Sequence, residues 1–257
     1  MKKDIDLNER VKREAGDYSI VINNRKFFCE VFEYTNAFIK EDIVGQKIKE
    51  VMSHTCDKRV LEIGSTIWHE WIEKNGYKAN KIDAINITNE EIEKGLKLSR
   101  GSINKPFFHI MDAHRLEYDD GVFDMVIGQG ILHHLELRIV MKEIKRVLKP
   151  GGCMVFLEPL NINPLGKLFR ILTPKLRTID EEAFGFKHLN IIKEFNQNVE
   201  LYPSQLTIVP FGVISKYISS DPKNLLTLSG YKLDDLLYKY FPIIKYLYRR
   251  MLIVGYK

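Results

Sequence analysis

The chain has 257 residues, 45% hydrophobic and 28% charged, with a formal net charge of +5. That composition excludes a disordered or collagen-like chain and suits one elaborated domain with a sizeable core. Its basic residues are spread rather than blocked, so nucleic-acid binding is not expected, while the mild excess favours an anionic substrate or surface.

Cys29, Cys56 and Cys153 match no zinc spacing and leave one thiol over in any disulfide scheme. Reduced cysteines and no metal site are expected. The first ten residues are charged throughout, and no run approaches the roughly 18 apolar residues of a spanning helix. A cytoplasmic location follows as the expectation.

In chain order, residues 1–57 show helical patterning, with Phe27, Phe28, Val31, Phe32 and Phe38 on one face. They read as an N-terminal helical cap on the main domain, or as a dimer arm. From Arg59 strands and helices alternate. Val60–Ile63 predicts the first strand, and Trp68–Lys74 a helix stopping near Gly76. Lys81–Ile87 predicts the second strand, followed by a helix capped by Thr88 and carrying Glu90, Glu91 and Glu93 in its early turns. Acids there suit the positive end of the helix dipole.

Pro106–Met111 and Phe123–Gly128 predict the third and fourth strands. Leu137–Leu148 has the apolar spacing of an amphipathic helix, stopped by Pro150-Gly151-Gly152. Cys153–Leu157 predicts a fifth strand ending at Glu158. Strands separated by helices of this length indicate a parallel sheet. After Pro159 the pattern changes. Asn161–Lys187 and Pro210–Tyr248 read as late lid insertions, around a helix at Leu189–Phe195 and a sixth strand within Val199–Val209. Met251–Tyr256 closes as a final strand. The resulting division is 1–57, 58–160 and 161–257, the last being lid insertions plus closing strands of the same domain.

The run Arg59-Val-Leu-Glu-Ile-Gly64 organises the rest. Ligands of open α/β sheets collect where strands end at their carboxyl edge, and a glycine there lets backbone approach them. Glu62 is a carboxylate able to accept from a ribose or an amine.

Several segments carry a family pattern in order. They are Val60-Leu61-Glu62-Ile63-Gly64, Ile85-Asn86-Ile87-Thr88, Met111-Asp112-Ala113, Phe123-Asp124-Met125-Val126, Leu132-His133-His134-Leu135 and Arg146-Val147-Leu148-Lys149-Pro150-Gly151-Gly152. The chain resembles class I S-adenosylmethionine-dependent methyltransferases, particularly the branch with small-molecule and quinone methyltransferases. The resemblance covers about Lys58 to Glu158 and the final strand.

It implies an α/β fold: a Rossmann-like, doubly wound, seven-stranded sheet with the last strand antiparallel. It implies S-adenosylmethionine as cofactor and S-adenosylhomocysteine as product. Glu62, Gly64 and Ser65 would lie by the amino-acid part, Asn86 and Ile87 by the ribose, Asp112 and Ala113 by the adenine, and Gln129 and Gly130 by the methionine side. Two positions depart from the pattern. The loop reads Glu62-Ile63-Gly64-Ser65-Thr66-Ile67-Trp68, with Thr66 and Trp68 where the family has glycines. Asn86 stands where an acid usually grips both ribose hydroxyls, and an amide has one acceptor oxygen. Asp83 lies three residues earlier, on the opposite face of the strand.

Methyl transfer needs alignment of the acceptor and removal of a proton if that acceptor is a hydroxyl or amine. His134 and His133 are the candidate bases, because histidine ordinarily titrates near neutral pH; alternatively one caps the next helix and the other packs under the lid. Glu158 either orients substrate or pairs with a basic residue. His188 and Tyr202 are read as structural. Trp68 and Trp71 pack on the sheet, unless Trp68 stacks on a ligand.

The late insertions, with Phe169–Leu172, Leu225–Leu228 and Tyr238–Tyr248 apolar and Lys or Arg interleaved, either bury their own faces or enclose an apolar substrate near a membrane surface. The functional expectation is methyl transfer to O, N or C of a small molecule, with a homodimer and a peripheral membrane contact left open. The alternative is a methyltransferase-like fold that serves as a binding or partner subunit, or runs another reaction.

Overall fold

The computed structural model describes residues 26–163, 167 and 184–257. Residues 1–25, the Phe169–Leu172 run and the Glu181-Glu182 pair lie outside them. The chain forms two compact units. One comprises Lys47–Pro159, Phe184–Leu201 and Leu252–Lys257. The other is built from the described parts of Met1–Gln46, Leu160–Ala183 and Tyr202–Met251.

Seven strands make one sheet: β1 (Arg59–Ile63), β2 (Lys81–Asn86), β3 (Phe107–Ile110), β4 (Phe123–Gln129), β5 (Leu148–Pro159), β6 (Asn198–Ser204) and β7 (Arg250–Tyr256), in the order β3-β2-β1-β4-β5-β7-β6. The pairs β1–β2, β1–β4, β2–β3 and β4–β5 are parallel. β7 runs against β5: Lys257 N–H donates to the Gly152 carbonyl near one end, and Leu160 N–H to the Arg249 carbonyl at the other. The doubly wound expectation with an antiparallel last strand is the observed topology.

The order in which strands are added reverses between β1 and β4, which are parallel neighbours although β2 and β3 intervene in sequence. That switch point opens a crevice at the carboxyl edge. β1 is buried from Val60 to Ile63 and β4 from Met125 to Gly128, so these central strands are covered on both faces.

The helices follow local chemistry. In α4 (Asn89–Leu98), after α1 (Lys26–Thr35), α2 (Ile43–Ser53) and the short α3 (Trp68–Trp71), the Thr88 side chain accepts from Glu91 N–H, the predicted cap. α5 (Leu137–Val147) buries Leu137, Val140, Met141, Ile144 and Val147, an i, i+3, i+4 stripe. The helix predicted at 68–74 is α3 followed by a 3-10 turn, ended at left-handed Gly76.

The fifth strand is longer than predicted. Pro150-Gly151-Gly152 does stop α5, but the chain enters β5 at once through Leu148, opposite Phe123 with a register irregularity. Turn residues signal that a helix ends there, yet at a sheet irregularity they do not exclude a strand.

The most family-specific segments meet at the amino edge. Arg146 donates to the Leu116 and Tyr118 carbonyls and pairs with Glu143 and Asp120, holding the loop before β4. Asp124 accepts from Arg59 N–H at 2.9 Å and Lys149 Nζ at 2.8 Å. A groove of about 520 Å³, lined by residues including Lys142, Lys145 and Phe195, lies at this edge, away from the carboxyl-edge crevice. These motifs build the sheet.

In the second unit, α7 (Ile208–Ile218) packs on α1 and on α8 (Leu225–Tyr240); α6 (Phe186–Phe195) belongs to the first. Asp234 of α8 accepts from the Leu206 and Thr207 N–H groups, fixing the start of α7. Asp42 caps α2 through Gly45 N–H and accepts from the Ser204 hydroxyl at 2.7 Å. Val31 is buried, Phe32 lies under Arg249, and Phe38 packs edge-on to Tyr231, as expected of an apolar face on α1 and the turn after it.

Candidate active site

Strand register brings the ends of β1, β2, β4 and β5 to one edge: Ile63 pairs with both Ile85 and Gly128, and Gln129 with Leu157. Gly64, Asn86, Gly130 and Glu158 therefore come together there, and Asp112 joins them from the end of β3, where Ile110 pairs with Asn86 and Met111 N–H donates to the Asn86 carbonyl; Ser65, Ile87, Ala113 and Gln129 are their chain neighbours.

The loop after β1 turns on Gly64 at φ +114°, a conformation strained for any side chain, and no atom lies within 4 Å of where its Cβ would be. Ser65 follows at φ +69° and is buried. Gly64 N–H donates to the Ile85 carbonyl at 2.9 Å. Behind the loop, Gly95 of α4 leaves room: a Cβ there would fall 2.3 Å from Phe108 Cε1 and 2.9 Å from the Ser65 carbonyl oxygen. Gly95 is a site-supporting residue that sequence reading missed, since a glycine inside a helix gives no signal of what it faces.

Glu62 is fully buried. Its Oε1 accepts from Ile67 N–H, and the Thr66 and Trp68 amides also bond to the carboxyl group. Burial pushes its pKa up to about 7, against the downward pull of those amides. Oε2 has no hydrogen-bond partner among the described residues. In this conformation Glu62 caps the loop and the start of α3. The Trp68 and Trp71 side chains are buried, as the packing reading expects, and the Trp68 indole N–H also lacks a partner among the described residues.

Asn86 is engaged at both ends of its amide. Nδ2 donates to the Gly64 carbonyl at 3.2 Å and to Ser65 Oγ at 3.3 Å, while Oδ1 accepts from Ile87 N–H. A carboxylate could not make those two donations, so asparagine here ties the glycine loop to β2. Asp83 lies elsewhere, paired with Arg59 at 2.9 Å and Lys81 at 3.3 Å.

Asp112 is half-buried. Burial alone would raise its pKa, but bonds from the His114 side chain and N–H hold it below the usual carboxylate range. His114 Nδ1 lies 2.6 Å from Asp112 Oδ1, and His114 Nε2 accepts from Glu136 N–H at 2.9 Å. Because a backbone N–H can only donate, Nε2 carries no proton, and the proton sits on Nδ1. His114 was not among the sequence candidates; its motif position two residues past Asp112 was the available signal.

Glu158 is also fully buried. Oε1 accepts from Ile131 N–H at 3.0 Å and Leu132 N–H at 2.9 Å, and Oε2 lies 2.7 Å from His133 Nδ1. With the proton on Nδ1, His133 keeps a lone pair on Nε2. The His133 and His134 rings are 4.2 Å apart at 39°, His133 buried and His134 half-buried. Gly130 turns at φ +60°, with His133 Cε1 3.9 Å from where its Cβ would be. His188 instead accepts from Gly185 N–H and stacks on Phe184, a structural post at the start of α6. Tyr202 is half-buried in β6.

The family model described as a methyltransferase domain matches residues 61–156. The chain is 31% identical over 208 residues to the demethylmenaquinone methyltransferase of Staphylococcus aureus (strain MRSA252), covering 73% of this chain and 86% of that protein. It is 31% identical over 110 residues to the sarcosine/dimethylglycine N-methyltransferase of Halorhodospira halochloris, covering 41% of this chain and 38% of the relative. Some matches thus span well under two thirds of the curated relatives, 38% in that case and 55% for the demethylmenaquinone methyltransferase of Clavibacter sepedonicus.

Among solved structures, phosphoethanolamine N-methyltransferase 2 of Haemonchus contortus in complex with S-adenosyl-L-methionine has a TM-score of 0.59 at 13% identity, covering 94% of this chain and 60% of that one. The cyclase SpnF has a TM-score of 0.54 at 16% identity, covering 83% and 81%. Likeness at such identity concerns the fold alone. The 31% identity over 73% of this chain and 86% of the Staphylococcus aureus enzyme goes further, and with it the chain belongs to the class I S-adenosylmethionine-dependent methyltransferases.

Proposed function

We propose that the chain transfers a methyl group from S-adenosylmethionine to O, N or C of a small, apolar molecule. The observation that carries this reading is the convergence at one sheet edge of an open glycine turn, a half-buried carboxylate and a buried Glu–His pair. The donor set fits a nucleoside-bearing cofactor: space stands open over Gly64, Asp112 keeps its second oxygen for an amino group, and Oε2 of Glu62 is an acceptor without a partner. Gly64 and Ser65 would hold the amino-acid part, Asn86 and Ile87 would border the ribose, Ala113 would lie by the adenine, and Gln129 and Gly130 would line the methionine side.

When bound, the cofactor would supply an electrophilic methyl on a sulfonium sulfur, with S-adenosylhomocysteine as the product. The chain's residues then have two tasks. Gly64, Asp112 and Gly130 bind and orient, converting an encounter into an aligned one. His133, its Nδ1–H directed at Glu158, takes the acceptor's proton on Nε2; His134, beside it, borders the same space. The Staphylococcus aureus relative is named for a quinone precursor, which supports an apolar acceptor.

Replacing Asp112 with alanine is expected to weaken S-adenosylhomocysteine binding about 10- to 100-fold, the scale of a lost charge-assisted hydrogen bond. Titration calorimetry on the folded variant reads it, and undiminished binding would remove Asp112 from the site. A second reading, the fold put to a different use, is favoured by one observation. Asn86 bonds to the Gly64 carbonyl and to Ile87 N–H, and Glu62 Oε1 accepts from Ile67 N–H, so these groups bond within the chain rather than to a ribose. That reading gains if the intact protein ignores the cofactor.

A further inference from the structure

The second compact unit carries a helix that is inside out. α7 turns Ile208, Gly212 and Ser215 inward. A Cβ on Gly212 would sit 2.8 Å from Thr35 Cγ2, and one on Gly230 of α8 would sit 3.0 Å from Ile208 Cα, so α7 packs backbone-close on its neighbours through small residues. Ser215 is buried and accepts from Asn224 Nδ2 at 2.6 Å.

What α7 leaves outside is apolar. Val213, Ile214, Tyr217 and Ile218 are 37%, 53%, 72% and 69% exposed, in i, i+1, i+4, i+5 spacing along one stripe. Leu225, at the start of α8 next to the Asn224–Ser215 contact, is 82% exposed. An ordinary surface helix shows the reverse arrangement.

Charge selects the partner. Residues 208–251 contain Lys216, Lys223, Lys232, Lys239, Lys245, Arg249 and Arg250 against Asp221, Asp234 and Asp235. Their balance of +4, seven bases less three acids, is most of the chain's +5. Of the acids in this span, Asp234 is buried and Asp235 half-buried; Lys216 and Lys223 pair with Glu30 and Glu41 of the same unit, while Lys232 and Lys239 of α8 are exposed. A second copy docking here would bring like charges together. An anionic bilayer surface takes both the apolar stripe and the basic rim. No helix of the described residues is long and apolar enough to cross a membrane, so the contact lies in the interface plane.

We propose that the exposed face of α7, with Leu225 and the exposed lysines of α8, docks the protein on the surface of an anionic lipid bilayer. This is independent of the methyl-transfer reading, since none of its residues belongs to the carboxyl-edge site.

The test is flotation of the full-length protein with vesicles of phosphatidylcholine alone and of phosphatidylcholine with a third phosphatidylglycerol. Binding to the anionic vesicles is expected, weakened at least about tenfold in Ile214→Glu/Ile218→Glu and weakened at high salt. Both isoleucines are exposed, so the variant should keep its thermal unfolding midpoint. A Lys232→Ala/Lys239→Ala variant should lose affinity for anionic vesicles while its apolar stripe stays intact. Failure of the native protein to float with the anionic vesicles overturns the proposal, and so does flotation unchanged in both variants. A dimer in sedimentation equilibrium that the isoleucine substitutions dissociate, without vesicle binding, would assign the face to a second copy instead.

Discussion

Replacing Glu62 with alanine is expected to cost about 3–5 kcal/mol of stability, the scale of removing one partner from a buried polar cluster. The substitution leaves the Thr66, Ile67 and Trp68 amides facing apolar space, and the turn at Gly64 and Ser65 loses its anchor. Glu62→Gln separates packing from charge, because it keeps an acceptor oxygen for those amides. Burial raises the Glu62 carboxyl from 4.5 to about 7, so the fold favours its protonated form. Its contribution to stability is then complete below about pH 4.5 and is lost as pH climbs through about 7, a change of about 3 kcal/mol. Chemical denaturation of Glu62→Gln between pH 4 and 8 should show a correspondingly flatter profile. Some slope remains, because burial also pushes Asp42 up to about 7. A variant with the native slope would mean that Glu62 is not enclosed as described.

Glu158 gives the second large effect, and here two substitutions should part ways. Glu158→Ala strips a partner from Ile131 N–H, Leu132 N–H and His133 together, with an expected loss of about 3–5 kcal/mol. Glu158→Gln keeps an oxygen for the two amides but turns an NH2 toward His133 Nδ1. A donor there makes Nδ1 the acceptor and moves the imidazole proton to Nε2, where it blocks proton uptake. Stability and S-adenosylhomocysteine binding should stay near native while turnover of a hydroxyl or amine acceptor falls about 10²- to 10⁴-fold, the range of general-base catalysis. Native turnover in Glu158→Gln would remove His133 as the base. It would then leave Glu158 as a cap for the turn after β4.

The sheet was legible because its signals are local and redundant. Apolar runs end at Gly64, Asn86 and Asp112, Thr88 caps its helix, and Pro150-Gly151-Gly152 stops α5. The motif that most identifies the family, Arg146 to Gly152, works at the amino edge, where it holds the loop before β4. Motif strength therefore announces the fold more loudly than the site. What stayed hidden depends on where side chains point. Glu62 reads as a ligand carboxylate, yet it faces the amides of its own loop. Asn86 reads as a weakened ribose grip, yet its amide is what fastens Gly64 and Ser65 to β2. Gly95 and His114 act through neighbours 30 and two positions away, Ser65 and Asp112, and no periodicity encodes such partners. The outward apolar stripe of α7 was invisible for a similar reason. Spacing shows that Val213, Ile214, Tyr217 and Ile218 share a face, but not that small residues on the other side take the packed position.

The departures at Thr66, Trp68 and Asn86 all fall on the loop and strand end that would receive the cofactor. The most direct measurement is calorimetric titration of the full-length protein with S-adenosylmethionine and S-adenosylhomocysteine. Saturable binding in the micromolar range is the predicted result, with the Asn86 and Glu62 networks serving to shape the loop that receives the ligand. Absence of binding up to millimolar concentration would contradict it, and would mean that this carboxyl edge has been given to another ligand.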